Sequence, residues 1–263
     1  MTAFVLFVIC TLASAVGSIV GAGGGVIIKP VLDMIGLLPV STVSFCSGCT
    51  VLGMSLCSLI GSRKGEIRLH LKTSTLLAIG AVCGGIVGKW LFELVRSAAG
   101  NENVLGMVQA ACLTGVNFFV LLYVCRKDKI SSGHVTMPAA VITIGIFLSV
   151  ISSFLGIGGG PINVAVLFFF FSMEAKEAAK NSLYIIVFSQ ISNIASAIVT
   201  DSVPEFKWIH LGMMILGGIG GALLGNIFSR KMDNKDVESV LKVLVSVIVC
   251  LGIYNILKYS MLC

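Results

Sequence analysis

An all-α integral membrane fold made of two inverted repeats is what this 263-residue sequence predicts, and three observations predict it. Hydrophobic residues make up 57% of the chain and charged ones 11%, with a mean hydropathy of +1.04, too apolar for a water-soluble surface. Apolar runs long enough to cross about 30 Å of hydrocarbon follow one another with short polar breaks. Two glycine-rich stretches of nearly the same spelling, Gly21-Ala22-Gly23-Gly24-Gly25 and Gly156-Ile157-Gly158-Gly159-Gly160, lie 135 residues apart in apolar surroundings.

The first element runs from Thr2 to Val20. Ala13-Ser14-Ala15 resembles a signal-peptidase site, but no Lys or Arg precedes the apolar run, so the segment reads as a retained membrane helix. Four glycines in five residues then end it, because they lose too much backbone entropy in a helix. A half-helix restarts over Val26 to Leu38. As one straight helix, Thr2 to Leu38 would measure about 55 Å, too long for one crossing, while its second half at about 20 Å is too short for another. A re-entrant hairpin fits both lengths. Crossings follow at Val40 to Ile60, Thr73 to Val95 and Val104 to Cys125. The second repeat copies the plan with Val135 to Leu155, the glycine break, a half-helix over Ile162 to Met173, and crossings at Asn181 to Val199, Trp208 to Phe228 and Val237 to Leu257. Pro30 and Pro161 are expected in the first turns of the restarted helices. A hairpin plus three crossings is an odd number, so the repeats, residues 1–130 and 131–263 of one transmembrane domain, enter the membrane from opposite faces.

Charge supports the hairpin. With hairpins, one side receives Arg63, Lys64, Arg68, Lys72, Arg126, Lys127, Lys129, Lys176, Lys180, Arg230, Lys231 and Lys235, and the other only Arg96, Lys207 and Lys258. Single crossings would leave a far weaker bias. The positive-inside rule then puts the basic loops in the cytoplasm and both termini outside. Trp90, Trp208, Tyr254 and Tyr259 are expected at the outer interface, with Tyr123 and Tyr184 at the inner one. Gly65-Glu66-Ile67-Arg68 resembles Pro204-Glu205-Phe206-Lys207, and Cys46-Ser47 corresponds to Asn181-Ser182. Gly80, Gly84 and Gly88 recur as Gly217, Gly221 and Gly225, a ridge suited to close helix packing.

A half-helix that starts near the midplane presents unpaired amides and a positive dipole end, and two of them converging from opposite faces make an anion site. The expected site comprises Gly23, Gly24, Gly25, Gly158, Gly159 and Gly160, with Ser18 and Ser153 before the breaks and Asn163 after one. Cys46, Ser47, Asn181, Ser182 and Gln190 complete it from the following helices. Lys29 with Asp33 and Lys89 with Glu93 are spaced to pair. No Gly-Lys-Ser/Thr follows either break, which argues against a nucleotide loop, and serine without a buried His or Asp partner argues against an enzyme. No acid or histidine lies deep in a span, so no proton relay is apparent, and no cofactor is expected. Export needs none: an interior potential of −100 mV favours a leaving monovalent anion by about 2.3 kcal/mol. A different reading is a soft-metal or thiol-relay transporter, since Cys46, Cys49, Met54 and Cys57 share one helix.

The doubled glycine motif with Pro30, and the polar pair after each half-helix, resemble the TauE/SafE family of sulfite exporters, also called the 4-toluene sulfonate uptake permease family, over the whole chain. The resemblance implies a multi-pass plasma-membrane permease for small organosulfur anions such as sulfite, sulfoacetate or related sulfonates. Its partners would be the anion and the lipid bilayer, with no nucleic acid, and a homodimer stays open. The family usually has Ala-Thr-Ser where this chain has Phe45-Cys46-Ser47 and Lys180-Asn181-Ser182.

Overall fold

The computed structural model describes residues 2–62, 69–127 and 133–262, and among the described residues there are ten helices and no strand. Arg63, Lys64, Arg68 and Lys129, and with them the Gly65-Glu66-Ile67-Arg68 motif, lie outside the described residues. The helices are α1 (Thr2–Val20), α2 (Gly25–Ile35), α3 (Val40–Gly61), α4 (Leu71–Ala99), α5 (Glu102–Arg126), α6 (Pro138–Leu155), α7 (Pro161–Phe171), α8 (Ala175–Val199), α9 (Trp208–Lys231) and α10 (Asn234–Leu262). Eight are long and apolar enough to cross a membrane; α2 and α7, at 11 residues each, are not.

Both long helices before the breaks end by the same device. Gly21 and Gly156 adopt left-handed φ of +75° and +65°. The next amide then reaches back one turn further than in a helix: Ala22 donates to the Gly17 carbonyl at 3.1 Å, and Ile157 donates to the Ser152 carbonyl at 3.3 Å. This is the Schellman closure, and it explains why a glycine must stand first in each run.

Three expectations shift. Helix α8 begins at Ala175, not at Asn181, because Lys176, Glu177 and Lys180 interrupt only the hydropathy; Ala175, Ala178 and Ala179 keep the turn buried. Pro161 opens α7 as expected, but α2 already starts at Gly25, so Pro30 sits inside it, where its carbonyl accepts from Asn255 Nδ2 at 2.9 Å. Trp90, Trp208 and Tyr254 are exposed on the bundle surface, whereas Tyr259 is buried with Val40, Phe92 and Leu105 and packs against Gly106, so it does not face outward from the bundle.

The glycine ridges set the closest packing. A Cβ on Gly80, Gly84 or Gly88 of α4 would strike the carbonyl oxygens of Ile142, Ile146 and Val150 on α6. On α9, a Cβ at Gly217, Gly221 or Gly225 would strike those of Phe7, Thr11 and Ala15 on α1. Residue numbers rise together in both sets, so α4 runs parallel to α6 and α9 to α1. Helix α3 is parallel to α9, since Thr50 lies at Gly218 and Ser58 at Asn226, whereas the start of α3 meets the end of α8. Exchanging α1–α5 with α6–α10 maps every one of these pairs onto another: α1/α9 onto α6/α4, α3/α9 onto α8/α4, and α3/α8 onto itself.

The ends of the bundle differ in charge. Lys127 pairs with Glu238, Lys180 Nζ reaches the Ser62 carbonyl, Arg230 reaches the Gly61 carbonyl, and the Lys176 amide binds Asn234, gathering the basic residues at one end. Arg96 with Glu102, and Lys258 on the carbonyls of Asp33 and Met34, mark the opposite, sparsely basic end.

Candidate functional site

The two glycine breaks meet at the centre. A Cβ on Gly25 would collide with the Ile157 carbonyl, and one on Gly160 would lie 3.2 Å from the Ile157 side chain and 3.9 Å from that of Val26. Val51 of α3 and Ile186 of α8, themselves 135 residues apart, wall the junction; a Cβ on Gly23 would touch them at 3.4 and 3.5 Å. A side chain at Gly25 would push the two breaks apart.

The junction is rich in unused hydrogen-bonding capacity. Among the described residues, the amides of Gly23, Gly25, Gly158, Gly159 and Gly160 have no acceptor, and that of Gly24 has only the Met54 sulfur at 3.2 Å, a weak one. Gln190 is fully buried against Gly158, and neither its Oε1 nor its Nε2 has a protein partner. Asn163 lies beside Gly159 with its Oδ1 unpartnered, and the buried hydroxyls of Ser47 and Ser55 are likewise unpartnered. Leaving one buried amide or hydroxyl unmatched costs about 1–3 kcal/mol, so several in one place argue for a guest that completes them.

From the sparsely basic end, a cleft leads toward this junction. Ser41, Ser44, Gly48, Lys89, Ser153 and Asn193 line it. Its wall at Gly48 is the point where Gln190 Oε1 stands 2.8 Å from a Cβ position. Lys29, 2% exposed, donates to Ser44 Oγ at 3.0 Å and pairs with Asp33 at 3.3 Å, and Ser44 presses against Gly156. At the basic end the equivalent route is bonded across: Ser58 Oγ donates to Asn226 Oδ1 at 2.8 Å.

The remaining expected residues fall outside the junction. Ser182 donates to the Gly21 carbonyl at 2.6 Å and so ties α8 to the first break. Ser18 sits under Gly225 with weak contacts at 3.5 Å to the Ala15 and Ala222 carbonyls. Ser153 is in the cleft. Asn181 turns toward α4, accepting from Ser74 Oγ and the His70 amide and donating to the Glu177 carbonyl. Its counterpart Cys46 packs with Leu6, Cys10, Leu211 and Met214. Cys57 points at the Ile219 carbonyl of α9, and among the described residues no three His, Cys, Asp or Glu side chains gather as a metal would require. Sequence reasoning passed over Ser44 and Gly48; the available signal was their helical spacing with Ser47, Val51 and Ser55, three or four residues apart on one face.

The sequence model of the sulfite exporter TauE/SafE family matches residues 6–255. Among individual proteins, the chain is 23% identical to the probable membrane transporter protein YunE of Bacillus subtilis (strain 168), covering 97% of this chain and 98% of that one. It is 22% identical to the probable membrane transporter protein YjnA of the same organism, over 86% and 90%. No solved structure matches significantly. These names describe membrane transporters, not an enzyme. A match over nearly the whole length, on a bundle of eight candidate spans with two glycine-broken helices, establishes that the chain belongs to the TauE/SafE family of membrane transporters.

Proposed function

We propose that the protein moves small organosulfur anions, such as sulfite, sulfoacetate or a related sulfonate, through a midplane site between the two glycine breaks. The observation that carries this is Gln190: a fully buried amide with no partner, set against glycines whose own amides are unoccupied. An oxyanion supplies several acceptors at once, and glycine lets it approach the backbone.

Alternating access fits the packing. In this reading α1 and α2 form a re-entrant hairpin, supported by the parallel course of α1 and α3 along α9: α2 must return toward the end from which α1 came. The second half is inverted relative to the first, in keeping with α3 meeting α8 head to tail. Because α1 packs on α9 and α4 on α6, each moving part draws helices from both residues 1–130 and residues 131–263. Separation of α3 from α8, whose residues line the cleft, would open the way from the cleft to the junction. The gathering of basic residues at one end supports a cytoplasmic position for that end, with both termini outside and the plasma membrane as the location. Export is the favoured direction, because the potential drives anions outward.

Replacing Gln190 with Leu separates structure from function. Removing an unpaired buried amide leaves thermal stability equal or higher. Sulfite or sulfonate flux into proteoliposomes falls at least roughly tenfold, the value of one charge-assisted hydrogen bond. Unchanged flux in the folded variant would remove the midplane site.

A further inference from the structure

The cleft at the sparsely basic end contains a charge that the midplane site does not use. Lys89 lines it, only 9% exposed, with its ammonium 2.6 Å from Glu93 Oε1 and 4.8 Å from the centre of the Phe92 ring. Ser153, 3% exposed with its hydroxyl unpartnered, lines the same cleft beside Gly88, and so does Asn193, whose side-chain amide can donate to an anion through its Nδ2.

Comparison with the other half shows what is unusual here. Each glycine ridge is followed by one polar residue, Lys89 after Gly88 and Asn226 after Gly225. Asn193 corresponds to Ser58 by the 135-residue offset. At the basic end these positions bond each other, Ser58 to Asn226. At the sparse end Lys89 and Asn193 both line a cleft, and the amide has become an ammonium held by a carboxylate on its own helix. A packing role would be served by an amide, as Asn226 shows; a cation in this place adds attraction for negative charge. An ammonium has three protons to donate, of which Glu93 takes one.

We propose that Lys89, with Ser153 and Asn193, forms a docking site for the sulfo oxyanion headgroup at the mouth of the pathway, distinct from the midplane site. This rests on the transport reading. Glu93 competes with the anion for the ammonium, so it sets the affinity of the site. The two residues therefore act in opposite senses.

The test uses full-length protein in proteoliposomes, with sulfite and, separately, sulfoacetate offered at the sparsely basic end, and reads half-saturation and maximal rate. Lys89→Gln raises the half-saturating concentration roughly tenfold or more, with the maximal rate held within about twofold, because one charged contact is lost. Glu93→Gln lowers it, because the ammonium is released. If the pair were only structural, both variants would weaken transport alike, and that result overturns the assignment. Should Lys89→Gln fail to fold in a thermal melt, Glu93→Gln decides alone: unchanged or weaker affinity overturns it. Sulfite shifting without sulfoacetate, or the reverse, tells whether the site takes the free ion or the headgroup of an organic sulfonate. Wild-type protein that moves neither anion rejects the transport reading itself, whereas wild-type flux with unaltered half-saturation in Lys89→Gln rejects only the docking site.

Discussion

The first and second glycine breaks share a backbone and differ in what surrounds them. Both close with a left-handed glycine and the same reaching-back hydrogen bond, from Ala22 to Gly17 and from Ile157 to Ser152. Val51 and Ile186 wall both; the first adds the Met54 sulfur, whereas beside the second stand Gln190, unpartnered at both amide atoms, and Asn163, unpartnered at its Oδ1. Position 190 is Ser55 in the first half. The two breaks share the geometry that exposes amides, while the unpartnered side-chain amides lie beside the second.

The strongest way to break that comparison is to disturb what the halves share. Gly25→Leu places a side chain where the Ile157 carbonyl stands, with Val51 Cγ2 only 2.8 Å from the new Cβ. The clash is with backbone, which cannot rotate away, so the expected outcome is a loss of stability at or above about 3 kcal/mol and no flux. Thermal melts together with flux measurements check this; a stable, active variant would show that the breaks need not touch.

The difference between the ends is sharpened by a double-mutant cycle on Ser58→Ala and Asn226→Ala. Each single change should cost about 1 kcal/mol, and the pair less than the sum, because both remove the same bond. Additive losses would mean that the basic end is not latched there. The smallest effect is expected at Met54→Leu, a volume-conserving change costing less than about 1.5 kcal/mol. Its sulfur is only a weak acceptor for the Gly24 amide, so flux should stay within about twofold. A large loss would place the anion against the first break as well as the second.

Much of the bundle was legible in the sequence because its determinants are local. Glycine runs end helices through their own backbone, and the eight long apolar segments follow from length and composition alone. The recurrence of Gly80, Gly84 and Gly88 as Gly217, Gly221 and Gly225 marked the tightest helix contacts correctly. The site was legible only in part. Gln190 and Asn163 were recognisable as polar groups isolated in apolar runs, and both lie beside the second break with unpartnered amide atoms; Ser47 is buried and unpartnered too. Cys46 and Asn181, adjacent in sequence to Ser47 and Ser182, look equally suitable, yet one packs among apolar side chains and the other binds α4. Tyr259 similarly looked interfacial and is buried.

The amino-acid order by itself determined that the chain is a bundle of apolar helices, where two of them break, and which segments carry the basic residues. Only the tertiary arrangement decided which face of each helix looks inward, that Lys89 lines a cleft while Asn226 closes one, and that the two breaks abut. The reason lies in the solvent. Lipid is as apolar as the protein interior, so a membrane helix has little amphipathic contrast to declare its inner face. That face is chosen by contacts from the other half of the chain: the carbonyls of α6 under the glycines of α4, and those of α1 under the glycines of α9.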